Sequence, residues 1–276
     1  MSLPSTSETL DRALWAASHH PSAVICDIDG TISAIAPTPD LARLADGARE
    51  ALMELSNLVE IVGVVTGRSA YDAATMIDVP DALVVGNHGM EWIHGGTHHV
   101  HPDVIPYQAT LAETMTELAR LAASDDRLKG AIVEDKRLSG SVHYRLTPNP
   151  IVAKELLLDA AGSLALHHNL RVTEGRMVVE IRPPVHVNKG AALQRIAEDN
   201  ALLGMVFFGD DVTDVDGFRA LQMLRDARNF AGISIAVADP EARPEVIAAA
   251  DAAIDGVEAC VRLLEQLAME LQRSKE

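Results

Sequence analysis

The sequence predicts an α/β protein, a doubly wound, Rossmann-like parallel-sheet core with an inserted α+β cap domain. Three observations carry that expectation. Short, wholly apolar runs alternate with longer stretches of helical period towards both ends of the 276-residue chain. The middle of the chain abandons this pattern for strands that alternate apolar and polar residues. Acidic motifs follow directly on the apolar runs.

The core elements come in this order. Ala23–Cys26 reads as a buried strand ending at Asp27. Leu41, Leu44, Ala48, Leu52, Leu55 and Leu58 follow a helical period. Glu60–Val65 and Ala82–Val85 read as the next strands, and Met205–Phe208, Ile233–Val237 and Ala252–Ile254 as later ones, each followed by a helical stretch. A last helix spans about Val257–Gln272. Continuous apolar strands alternating with helices imply a parallel sheet covered on both faces.

Between about Tyr107 and Arg182 the period becomes two. In Ser141–Leu146, Val142, Tyr144 and Leu146 share one face, and Ser141, His143 and Arg145 the other. Val178–Arg182 and Ala131–Lys136 alternate in the same way. Helices over Gln108–Ala123 and Ile151–Leu166 complete a small antiparallel sheet backed by helices. The expected division is an N-terminal segment 1–22, a core of 23–106 with 183–276, and a cap of 107–182, bounded by Pro102/Pro106 and Pro183/Pro184.

Composition narrows the function. The net charge is −17, and aromatics make up 3% of residues. Such a chain repels phosphodiester backbones and anionic lipid, and has little with which to stack bases, so neither nucleic acid nor membrane is an expected partner. Hydrophobic residues at 48% indicate a globular chain with a real core. Cys26 and Cys260 both lie on apolar stripes and read as small core residues. The first ten residues lack the basic start and apolar centre of a signal peptide, and no run approaches the roughly 18 apolar residues of a membrane span. The expectation is a soluble, cytoplasmic protein, monomeric or weakly self-associating.

The sharpest motif is Asp27-Ile28-Asp29-Gly30-Thr31. Two carboxylates two residues apart leave a buried strand at its carboxyl end, where open α/β sheets bind ligands. They repel each other unless a divalent cation or a shared proton intervenes. The first can attack phosphorus and the second can shuttle the leaving-group proton. After the second strand comes Thr66-Gly67-Arg68, whose hydroxyl, backbone amides and helix start can hold phosphate. Lys189, in Asn188-Lys189-Gly190, offers a compact cation at the opening of a helix. Gly209-Asp210-Asp211-Val212-Thr213-Asp214 sets three acids at the mouth of another buried strand. A helix cap with first-turn acids accounts for Asp214, but poorly for all three.

In order along the chain, these four motifs resemble those of the haloacid dehalogenase-like phosphatase superfamily. The resemblance implies an aspartyl-phosphate intermediate on Asp27, with Asp29 as general acid/base and Thr66 and Lys189 on the phosphate. It further implies Mg²⁺ held by Asp27, the Asp29 backbone carbonyl and Asp210, with Asp211 at or near the metal. Gly86–Glu91, Glu134–Lys136, Ser141–Arg145 and Gly175–Pro184 are similar to the corresponding stretches of trehalose-6-phosphate phosphatases. This implies that Glu134, Lys136, Arg145 and Glu180 hold the sugar of trehalose 6-phosphate. Phosphatases of sucrose phosphate or mannosyl phosphoglycerate are same-class alternatives. An alternative of another class is a catalytically silent sugar-phosphate-binding regulator, against which the intact Asp27, Asp29, Lys189 and Asp210 argue. His98, His99 and His101 crowd a hairpin and read as solvated, with zinc as the alternative. For His88, at the ligand edge, hinge packing and substrate contact both stay open.

Overall fold

The computed structural model describes residues 4–227, 229–239 and 243–275. It divides into two compact units, one of residues 1–35, 42–99 and 187–276, the other of residues 36–41 and 100–186. The second unit reaches beyond the span 107–182 expected for the cap. Residues 1–3 of the N-terminal segment lie outside the described residues.

The larger unit is built on β1 (Ser22–Cys26), β2 (Ile61–Val65), β3 (Leu83–Gly86), β4 (Glu91–His94), β5 (Thr97–Val100), β10 (Gly204–Gly209), β11 (Ala231–Ala238) and β12 (Ala252–Asp255). Their order in the sheet is β12-β11-β10-β1-β2-β3-β4-β5. Pairing is parallel from β12 through β3, and β4 joins β3 antiparallel. Both faces are apolar. Val24, Cys26, Val62 and Val64 pack on one side with α1 (Thr6–Ala17), α2 (Ala48–Leu55), α3 (Ala70–Ile77) and α9 (Gly256–Arg273). Ala23, Ile25, Met205 and Phe207 pack on the other with α6 (Lys189–Asp199), α7 (Val212–Ala227) and α8 (Pro244–Ala249). From β1 the chain runs to β2 and β3 in one direction and to β10, β11 and β12 in the other. The switch point therefore lies between β1 and β10, the position at which such sheets bind ligands.

The smaller unit has a sheet of β6 (Ile132–Asp135), β7 (Gly140–His143), β8 (Arg171–Gly175) and β9 (Val178–Arg182) in the order β6-β7-β9-β8. All its pairs are antiparallel. Val142, Val179 and Ile181 pack with Leu111, Met115 and Leu118 of α4 (Gln108–Ser124) and Ala153, Leu157 and Ala161 of α5 (Pro150–His168).

Several elements depart from the sequence reading. The helical period from Leu41 to Leu58 yields a helix only at Ala48–Leu55. Gly47 precedes it in the left-handed region, at φ 86°, and Leu41 sits in a short 3₁₀ turn, 61% exposed. The strand expected to reach Leu146 ends at His143, because Tyr144 and Thr147 close a turn and expose Leu146. Neither α1 nor β8 was anticipated. The signal for α1 was present: Ser5 and Glu8 form a capping box, with the Ser5 amide donating to Glu8 Oε2 at 2.7 Å and the Glu8 amide to Ser5 Oγ at 3.3 Å. Among the described residues no helix is long and apolar enough to cross a membrane.

Candidate active site

Asp27 and Asp210 leave neighbouring strands at the switch point, immediately after β1 and β10. The Asp27 amide donates to the Phe208 carbonyl at 2.8 Å, which extends the β1–β10 pairing to the acid itself. Thr31 donates its hydroxyl to Asp210 Oδ1 at 3.1 Å. Gly30 is required between them. Its φ is 92°, and a Cβ there would lie 2.1 Å from Asp210 Oδ2.

Lys189 opens α6, whose start is capped by Asn188 accepting from the Ala191 amide at 2.8 Å. Its ammonium is 2.9 Å from Asp27 Oδ2 and 2.7 Å from Asp214 Oδ1, and the side chain is 2% exposed. Asp214, fully buried, also accepts through Oδ2 from the amides of Asp210 at 3.1 Å and Asp211 at 3.0 Å. Both its oxygens are thus committed to holding neighbours. By contrast, Asp27 Oδ1 is buried and, among the described residues, has no hydrogen-bond partner. Asp27, Asp210 and Asp214 offer oxygens within 4.8 Å of one another, a set of hard donors that could hold a divalent cation.

Three carboxylates around one ammonium set the electrostatics. Burial pushes the Asp27 carboxyl up to about 7, against the pull of Lys189 and with help from Asp214 and Asp29. Burial also holds Asp210 well above the usual carboxylate range, with Asp27 and Asp214 adding to it. For Lys189 burial opposes the charge, but Asp214 and Asp27 outweigh it and raise its pKa.

Thr66 follows β2, buried, and its hydroxyl accepts from the Arg68 amide at 3.3 Å. Arg68 grips Asp29 with two bonds, Nε to Oδ2 at 2.7 Å and Nη2 to Oδ1 at 2.6 Å. It therefore lies against the second carboxylate of the motif, a contact that the spacing of the residues did not reveal. His88, in the left-handed region at φ 57°, donates its amide to the Thr66 carbonyl at 2.8 Å. Its ring fills the space over Gly67, where a Cβ would stand 2.6 Å from Nε2. The fold thus gathers Asp27, Asp29, Thr66, Gly67, Arg68, His88, Lys189, Asp210 and Asp211 at one edge of one sheet. Asp214, read from sequence as a cap, is the residue whose importance was missed. Its burial and its bonds to Lys189 and to the Asp210 and Asp211 amides distinguish it from an ordinary first-turn acid.

In the smaller unit, Glu134, Ser141 and Glu180 are paired across β6, β7 and β9. Lys136 Nζ lies 3.8 Å from Glu134 and 3.9 Å from Glu180. His143 Nε2 is 3.0 Å from Glu134 Oε2, and Arg182 donates to Glu180. Glu134, Lys136 and Glu180 are therefore one polar cluster. Arg145 lies beyond the end of β7, in the turn, so strand alternation does not carry it to that cluster. The histidine trio does not converge. His98 Nε2 donates to Glu91 Oε2 at 2.6 Å, while His99 stacks on Trp92 at 5.2 Å between ring centroids. His98 is thus engaged with a buried acid, contrary to the solvated loop expected from sequence.

A family model described as trehalose-phosphatase matches residues 25–244. A trehalose-phosphate phosphatase of Mycobacterium avium (strain 104) is 35% identical over 227 residues, covering 80% of this chain and 56% of that protein. An uncharacterized glycosyl hydrolase of Mycobacterium tuberculosis (strain CDC 1551 / Oshkosh) is 35% identical over 260 residues, 91% of this chain but 18% of the relative. The chain thus spans only part of the length of these curated relatives. Among solved structures, the C-terminal domain of the C. albicans trehalose-6-phosphate phosphatase aligns at TM-score 0.77 and 19% identity, covering 97% of this chain and 98% of that one. A haloacid dehalogenase-like hydrolase from Bacteroides thetaiotaomicron aligns at TM-score 0.60 and 14% identity, over 92% and 99%. At such identities these structures speak for the fold alone. With the family match covering most of the sequence and the four motifs meeting at the switch point, the chain belongs to the trehalose-phosphatase family, on a haloacid dehalogenase-like fold.

Proposed function

We propose that the chain is a magnesium-dependent phosphatase that hydrolyses trehalose 6-phosphate to trehalose and phosphate, with the phosphoryl group carried transiently on Asp27. The observation that carries this reading is the state of Asp27. One of its oxygens is held by Lys189 and the other is buried without a partner among the described residues. A buried carboxylate with an orphaned oxygen is costly unless a cation or a ligand completes it. That atom, with Asp210 and the Asp29 backbone carbonyl, would give Mg²⁺ an all-oxygen donor set, with Asp211 next to Asp210 in sequence. When bound, the ion would offset the charge of the phosphoryl oxygens and orient the group for attack.

The chain's own residues supply the rest. Asp27 attacks phosphorus as the bond to the sugar oxygen breaks, and Asp29 gives that oxygen its proton. A water then attacks the phosphoryl group, returns a proton to Asp29 and frees Asp27 and phosphate. Thr66 and the backbone amides of Gly67 and Arg68 bind phosphoryl oxygens, and Lys189 favours the charged form of Asp27. The cluster of Glu134, Lys136 and Glu180 supplies the mixed donors and acceptors that a polyhydroxyl ligand needs, with Arg145 offering a further donor from the turn beyond β7.

Phosphate release from a panel of sugar phosphates, with magnesium and with chelator, tests this reading. Trehalose 6-phosphate should be preferred in magnesium and inert in chelator. Equal hydrolysis of glucose 6-phosphate would reject the disaccharide assignment, and full activity in chelator would reject the metal.

A further inference from the structure

Glu91, a residue 4% exposed, opens β4, and the mechanism above gives it no role. Its Oε1 accepts from the amide of Ala70, the first residue of α3, at 2.9 Å and from Asn87 Nδ2 at 2.6 Å. Its Oε2 accepts from His98 Nε2 at 2.6 Å. Asn87 and His88 are consecutive non-glycine residues in the left-handed region, at φ 48° and 57°. Such backbone persists only where its surroundings hold it. What it accomplishes is visible in two hydrogen bonds: the Asn87 amide donates to the Arg68 carbonyl at 2.7 Å, and the His88 amide to the Thr66 carbonyl at 2.8 Å. Both ends of the Thr66–Arg68 loop are thus pinned by the segment that Glu91 holds, and the residue two places further on, Ala70, is bound by Glu91 directly. Gly86 fits into the same junction, where a Cβ would lie 2.3 Å from the Ala70 amide nitrogen.

We propose that Glu91 is a positioning residue for phosphoryl binding: its buried carboxylate fixes the Thr66–Gly67–Arg68 loop and, through the Arg68 grip on Asp29, the orientation of the proposed general acid. The proposal rests on the phosphatase reading given above. Asn87 is its lever on the loop, and His98 its contact towards the outer edge of the sheet. A role confined to stability would let phosphate binding survive the loss of Glu91; a positioning role makes the phosphate site depend on it.

The test uses the full chain in magnesium and reads kcat, KM and inhibition by inorganic phosphate beside thermal stability. Glu91→Ala should weaken inhibition by phosphate about tenfold and lower kcat about ten- to a hundred-fold, as loss of a charged hydrogen-bond acceptor behind the loop implies. Glu91→Gln keeps an oxygen for Ala70 and Asn87 and turns its amide to His98, whose Nε2 accepts in the other tautomer, so it should restore both to within about threefold. Asn87→Gly suits the left-handed backbone and removes the side-chain link to Glu91, so it should fold well and still bind phosphate more weakly. Asp251→Asn, whose hydrogen bonds lie at Arg225 and Ser234, is the control: less stable, kinetically unchanged. Wild-type kinetics in Asn87→Gly, or a Glu91→Gln protein as impaired as Glu91→Ala, would overturn the proposal. An unmodified protein that releases no phosphate would instead overturn the phosphatase reading on which it stands.

Discussion

Asp27 and Lys189 show how burial converts a sequence motif into chemistry. An acid at the end of a strand is ordinarily solvated, whereas this one is 5% exposed and shares a single ammonium with Asp214. Its pKa in the fold, about 7, lies above the ordinary 3.8. Between those values the folded protein binds the proton more tightly than the unfolded chain, so Asp27 makes the metal-free fold less stable as pH rises. In chelator, Asp27→Asn should therefore gain thermal stability on the unmodified protein as pH is raised from about 4 to about 8. A parallel pH dependence of the two melting midpoints would count against the burial argument. The gathering of Asp27, Thr66 and Asp210 at one sheet edge was legible because each follows an apolar strand, and Lys189 because it opens a helix. Asp214 and the Arg68–Asp29 pair were not, because spacing does not say which polar groups turn inward to bond one another.

Individual elements were legible to different degrees, and the reasons are local. β1, β2, β10 and β11 are apolar on both faces because helices cover both, so period and burial agree. Helix α2 was overextended from sequence because leucines beyond Gly47 continued the spacing by chance. Strand β8, Arg171–Gly175, carries two charges in five residues and leaves little apolar signal. Asp251, just before β12, shows how the edge of the sheet is secured. It accepts from Arg225 of α7 at 2.6 and 3.0 Å and from the amide of Ser234 in β11 at 2.9 Å. Although burial acts to raise its pKa, these hydrogen bonds outweigh it and hold the carboxyl below its usual range. A depressed folded-state pKa means stability that is present above the ordinary carboxylate range and lost as pH falls. Asp251→Asn should thus cost roughly 1.5–3 kcal/mol near neutrality, the worth of charged hydrogen bonds, and progressively less in acid. Denaturant melts of both proteins across pH check this, and a penalty independent of pH would contradict it.

For the molecule as a whole, a net charge of −17 has to be reconciled with the anionic substrate proposed for it. The larger unit gathers Lys189, Arg68 and helix and loop amides at one sheet edge, while the smaller unit sets acids beside bases on one face of its own sheet. If that second face recognises sugar, Glu180→Ala should lower kcat/KM for trehalose 6-phosphate by ten- to a hundred-fold, the equivalent of about 1.5–3 kcal/mol. Hydrolysis of p-nitrophenyl phosphate, which has no sugar to recognise, should change much less, and equal losses on both substrates would make the face structural. The division into core and cap was readable from the change of period, but the sugar itself was suggested only by resemblance. The central claim is that Asp27 receives the phosphoryl group, and its most direct test is phosphate release from trehalose 6-phosphate in magnesium by purified, folded Asp27→Asn protein. Turnover should disappear, because an amide neither attacks phosphorus nor anchors the cation. Multiple turnovers at a rate comparable with the unmodified protein would contradict the account.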